Sequence, residues 1–120
     1  MRPDYLLWTF QRELSFGRFF TREQEWLPPT DVYETEREFV VLVEIPGVER
    51  DQIKVSFNEG VLTIRGERRD LARGTGVRFH QMEITYGRFV REICFPTPID
   101  KERIRARYSK GILKVVLPKL

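Results

Sequence analysis

From Thr30 onward apolar and polar residues alternate, and that alternation dictates most of what the chain can become. In "EFVVLVEIPG", Phe39, Val41, Val43 and Ile45 fall on one face, with Glu38, Val40, Leu42 and Glu44 on the other. A period of two is the period of a β-strand, whose successive side chains point to opposite faces. "QIKVSFNEG" repeats the pattern with Ile53, Val55 and Phe57, and "GVLTIRGER" repeats it with Leu62 and Ile64. "GRFVREICFP" sets Phe89, Arg91, Ile93 and Phe95 on one side, and "RIRARY" carries Ile104, Ala106 and Tyr108. "GILKVVLP" adds Leu113, Val115 and Leu117, whereas "VRFHQMEI" alternates less cleanly. Short strands punctuated by Gly and Pro at this spacing predict an all-β, antiparallel sandwich of roughly seven or eight strands.

The first residues obey a different period. Leu6, Leu7, Phe10 and Leu14 recur at helical spacing, Trp8 lies among them, and Phe16, Phe19 and Phe20 extend the apolar run. So short a segment is a marginal helix alone, and its stripe needs a cover. That cover is its own domain, a sister subunit or another protein, and the pattern does not choose among them. The Pro28-Pro29 pair ends any helix. The chain therefore divides into an aromatic-rich, partly helical arm (1–28) and a sandwich domain (29–120).

Composition narrows the function classes. A chain of 120 residues supports one modest core, and 41% hydrophobic with 32% charged residues is the balance of an ordinary folded domain. No apolar run approaches the roughly 18 residues of a membrane span. "MRPDYLLWTF" lacks the features of a signal peptide. The single cysteine, Cys94, has no internal disulfide partner, so a reducing, cytoplasmic setting is expected. Net charge is +3, and the signs interleave in "GERRD" and "DKERIRAR". That reads as an ion-pair-laced surface, not the segregated basic face of a nucleic-acid binder.

Candidate chemistry is sparse. His80 is the single histidine, which leaves no His-based metal cluster. Cys94 lies inside a predicted strand, where a small packed residue is expected rather than a nucleophile. Gly74-Thr75-Gly76 lacks the later glycines and the lysine of a phosphate-binding loop. Glu34 and Glu36, two apart, are ordinary for a solvated strand. No catalytic, cofactor-binding or metal-binding residue is singled out, and an enzyme is not expected.

The segment "ARYSKGILKVVLP" contains Ala106-x-x-x-x-Gly111-Ile112-Leu113. It resembles the A-x-x-x-x-G-V/I-L signature of the small heat-shock protein family, the α-crystallin domain. "DVYETEREFVVLVEIPG", "DQIKVSFNEGVLTIRGER" and "YGRFVREICFP" agree with further blocks of that family in order, so the resemblance covers about Pro29 to Lys119. Physical reasons stand beside it. Gly111 suits a tight turn, Leu113 belongs to an inward row, and Pro46-Gly47 ends one strand. The resemblance implies an immunoglobulin-like sandwich acting as an ATP-independent holdase, which keeps partly unfolded client proteins from aggregating.

Further expectations follow from the resemblance. The long loop "ERRDLARGTGVRFHQMEITYG" would carry a strand, about Arg78 to Glu83, that pairs with a partner subunit near Val32 and Tyr33. That makes a homodimer by strand exchange, with Arg78, Phe79, His80 and Met82 at the interface. The alternative is a loop folded back on its own sheet. Arg91 matches the family's inward-lying arginine near this interface, and its charge needs a carboxylate or carbonyl partner. A groove is implied between Ile53, Val55 and Phe57 on one strand and Ile104 and Ala106 on another. In the family it receives an I-x-I tail motif, which does not follow Pro118 here. Dimers are therefore expected, with higher order through the arm residues Leu6, Leu7, Trp8, Phe10, Leu14, Phe16, Phe19 and Phe20, which also serve clients. The competing reading is a CS-like module that docks on one structured partner.

Overall fold

A computed structural model describes residues 25–70 and 74–120. The arm residues from Leu6 to Phe20 lie outside the described residues. Seven strands are found among those described: β1 (Thr30–Glu34), β2 (Glu38–Glu44), β3 (Ile53–Asn58), β4 (Val61–Arg68), β5 (Gly87–Cys94), β6 (Arg105–Ser109) and β7 (Ile112–Pro118). They form two antiparallel sheets, ordered β1-β2-β7-β6 and β3-β4-β5. The all-β sandwich expected from the alternation is the architecture found.

The strands form where the period-two pattern lets one face go dry. Phe39, Val41, Val43 and Ile45 meet Val55, Phe57, Leu62, Ile64 and Phe89 in one continuous core. Burying such a side chain contributes about 1.5–3 kcal/mol. β2 and β7 are interior strands of their sheet, and each keeps an outward valine under cover: Val40 pairs with Val116, and both are buried. This is why "FVVLV" and "KVVLP" are nearly continuous apolar runs.

The β3–β4 and β6–β7 connections are tight. Asn58 faces Val61 and Ser109 faces Ile112, so two residues turn each hairpin. Positive φ at both turn positions, Glu59 and Gly60 in one and Lys110 and Gly111 in the other, matches the right-handed twist of the flanking strands. Gly111 is needed twice over. Its φ is +80°, and a Cβ there would lie 2.9 Å from Cβ of Pro46. The Ile45 amide donates to the Gly111 carbonyl at 2.8 Å, and the Tyr108 hydroxyl lies 2.8 Å from both the Ile45 and Val48 carbonyl oxygens. The Pro46-Gly47 turn is thereby pinned across the β6–β7 hairpin as the chain leaves one sheet for the other. Burial raises the Tyr108 hydroxyl pKa and keeps it a donor at neutral pH.

Gly111→Ala should lower the unfolding free energy by about 1–3 kcal/mol, since it adds both strain and overlap. Urea denaturation reads this as a lower midpoint; an unchanged midpoint contradicts the assignment.

Candidate functional site

Surfaces, not a cleft, carry the candidate residues. Among the described residues no group of three or more His, Cys, Asp or Glu side chains gathers to hold a metal. None of their helices is long and apolar enough to cross a membrane. His80 is exposed in the 74–86 segment. Cys94 corrects the sequence reading: it is exposed, not packed. It shares the outward parity of β5 and pairs with Val61, away from the inward row of Phe89.

Two apolar surfaces stand open. β1 is an outer strand of its sheet, and Val32 and Tyr33 on it are 46% and 47% exposed. The β1–β2 turn is held firmly, because Lys119 Nζ donates to Glu34 Oε2 at 2.6 Å and to the Thr35 carbonyl at 2.8 Å. The second surface is the segment 74–86, which forms no strand within the single chain. Val77, Phe79, Met82 and Ile84 on it are exposed, Met82 and Ile84 by more than 60%. Arg78 is exposed beside them. Val77 and Phe79 share one parity, Met82 and Ile84 the other, which is the flaw in alternation visible in the sequence.

Arg91 occupies the inward parity of β5 between Phe89 and Ile93, opposite Ile64, and is half-buried. Among the described residues it makes no hydrogen bond or ion pair, so the acceptor its charge needs is not supplied by them. The residues assigned to a groove lie on β3 and just before or on β6. Ile53, Val55, Phe57, Ile104 and Ala106 are core members with exposures of 2–7%. β3 and β6 are outer strands of opposite sheets.

A third feature escaped the sequence reading. Just before the Pro28-Pro29 pair, the Glu25 amide donates to the Arg88 carbonyl at 2.7 Å, and the Arg88 amide returns a bond to Glu25 Oε1 at 2.8 Å. Trp26 Nε1 donates to the Gly87 carbonyl at 2.8 Å, and its ring meets Phe89 edge-on at 5.5 Å. Gly87 has φ +120°, and a Cβ there would come within 2.6 Å of Glu25 Oε1, so a side chain would expel the carboxylate. The Arg68 guanidinium lies over Trp26, 4.1 Å from the ring centroid. One signal was available: Leu62, Ile64, Gly66 and Arg68 share the inward parity of β4, and an arginine there must find acceptors.

Glu25 is held below the usual carboxylate range, chiefly because it accepts the Arg88 amide, with desolvation opposing and the Arg88 charge assisting. A depressed folded-state pKa means the contact stabilises the fold above the ordinary carboxylate pKa. That contribution is lost as pH falls through the depressed value. Glu25→Gln should therefore show a shallower loss of stability on acidification, read by urea unfolding between about pH 7 and pH 3. Parallel pH profiles for the two proteins contradict the contact.

Residues 31–120 match the model of the Hsp20/alpha crystallin family. The chain is 32% identical over 110 residues to small heat shock protein C2 of Rickettsia felis, covering 87% of this chain and 71% of that one. It is 42% identical over 94 residues to the 17.7 kDa class II heat shock protein of Arabidopsis thaliana, covering 77% and 60% respectively. Among solved structures, heat shock protein 16.0 from Schizosaccharomyces pombe superposes with a TM-score of 0.76 at 38% identity, over 80% of this chain and 89% of that one.

Proposed function

The chain belongs to the Hsp20/alpha-crystallin family, and from that premise we propose that it is an ATP-independent holdase that binds partly unfolded proteins and prevents their aggregation. The observation that carries this reading is the open apolar surface: Val32 and Tyr33 on an outer strand, and Val77, Phe79, Met82 and Ile84 on an exposed segment. Apolar side chains lying in water lower their free energy when another apolar surface covers them. An outer strand adds unpaired backbone groups that a further strand satisfies.

In this reading the same surfaces first serve assembly. The Arg78–Glu83 segment pairs with β1 of a second copy, forming a homodimer by strand exchange, and the acceptor for Arg91 comes from that copy. The apolar arm, 1–28, engages clients and builds higher order. No nucleic acid, cofactor or membrane span enters the mechanism, and its setting is cytoplasmic.

Light scattering of a heat-denaturing client, without ATP, tests the holdase reading. Equimolar protein should suppress most of the scattering; an unaltered signal at every ratio overturns it. The Phe79→Asp/Met82→Asp double variant should weaken the dimer more than about a hundredfold, since each side chain is worth about 1.5–3 kcal/mol when buried. Sedimentation velocity reads that as monomer. A dimer of unchanged affinity removes the segment from the interface.

A further inference from the structure

We propose that Arg68 couples the root of the N-terminal arm to the root of the 74–86 segment, so that unseating one loosens the other. Arg68 closes β4 on its inward parity, opposite Gly87 of β5. Its planar fork reaches two acceptors. Nη1 donates to the Pro46 carbonyl at 2.9 Å, while Nε and Nη2 both donate to the Thr85 carbonyl, at 3.0 and 2.6 Å. Its face lies on Trp26, and the Tyr86 ring is 5.8 Å away. Four segments distant in sequence, around residues 26, 46, 68 and 85, thus converge on one guanidinium.

The convergence matters because little else holds the segment. Among the described residues, the hydrogen bonds joining 74–85 to the sandwich are the two that Arg68 gives to Thr85. Thr85 itself is exposed. Only a planar group can present in-plane donors to Pro46 and Thr85 and lay its face on an indole at once; an ammonium cannot. The Trp26 ring fixes the plane of the guanidinium, and that plane aims two donors at Thr85. Removing the ring lets the plane rotate, and removing the guanidinium frees both neighbours.

Such a linkage is reciprocal. A cargo that pulls the arm and lifts Trp26 from its seat loosens the segment, and a chain that draws the segment taut favours the seated Trp26. The charged groups Glu25, Glu67, Arg69 and Asp70 line, together with Arg68, a cavity of about 360 Å³. This coupling goes beyond the holdase reading and holds whether or not clients bind.

Limited chymotrypsin digestion of the full-length native protein tests it, scored by mass spectrometry as cleavage after Phe79. Arg68→Ala and Trp26→Ala should each speed that cut about tenfold, the scale of losing one partly desolvated cation–π contact. The double variant should cut no faster than Arg68→Ala alone, because both changes break one linkage. Trp26→Phe loses the bond to Gly87 but keeps a ring face, and should cut at about the wild-type rate. Early cleavage after the core residues Phe57 or Phe89 identifies a globally unfolded variant. In that event Arg68→Lys, which keeps the charge and loses the fork, replaces Arg68→Ala and should give the same acceleration. An unchanged cut in Trp26→Ala, or accelerations that multiply in the double variant, overturns the coupling.

Discussion

A two-layered sandwich of this kind can satisfy its inner faces alone but not its outer strands. The core of the described residues is closed: buried apolar side chains from β2, β3, β4, β5, β6 and β7 form one cluster. Among the described residues β1, β3, β5 and β6 end their sheets, and each carries a line of backbone donors and acceptors with no described strand beside it. The constraint at those edges organises the rest. β6 meets it with arginines on its exposed positions, Arg105 and Arg107, which discourage close pairing. β5 is partly covered at its start by Glu25. β1 carries exposed charges at Asp31 and Glu34 but also leaves Val32 and Tyr33 exposed between them.

The turns and the clasp decide how those edges are presented. Pro46 lies on Gly111 and also lends its carbonyl to Arg68, so one short turn ties the β6–β7 hairpin to the end of β4. The same arginine then reaches Thr85 and Trp26. The A-x-x-x-x-G-I-L pattern therefore does more than close a hairpin. Ala106 and Leu113 fill the core, and Gly111 leaves the space in which the Pro46 turn sits. A change at Gly111 would move the platform on which Arg68 holds the 74–86 segment.

Much of this was legible in the alternation. β2 to β7 were each read from a period-two run, because inward and outward positions there differ sharply in polarity. The turns at Gly60 and Gly111 were marked by residues that tolerate positive φ. What escaped was long-range. Nothing local to Trp26, Pro46, Arg68 or Thr85 announces the others, since Arg68 lies 17 residues from Thr85, 22 from Pro46 and farther still from Trp26. Cys94 was misread because lying in a strand does not say which face it takes. Ile53, Val55, Phe57, Ile104 and Ala106 were read as apolar positions of their strands, and they are members of the core. The 74–86 segment stayed ambiguous because its apolar residues change parity, and a single chain gives it nothing to pair with.

The account turns on whether the open strand β1 and the Arg78–Glu83 segment are satisfied by a second chain. Amide hydrogen exchange across a dilution series reads both at once. Residues 31–34 and 78–83 should be protected together at high concentration and lose that protection together as the protein is diluted, while β2 and β7 stay protected throughout. Free exchange in 78–83 at every concentration, with the sandwich intact, would contradict it.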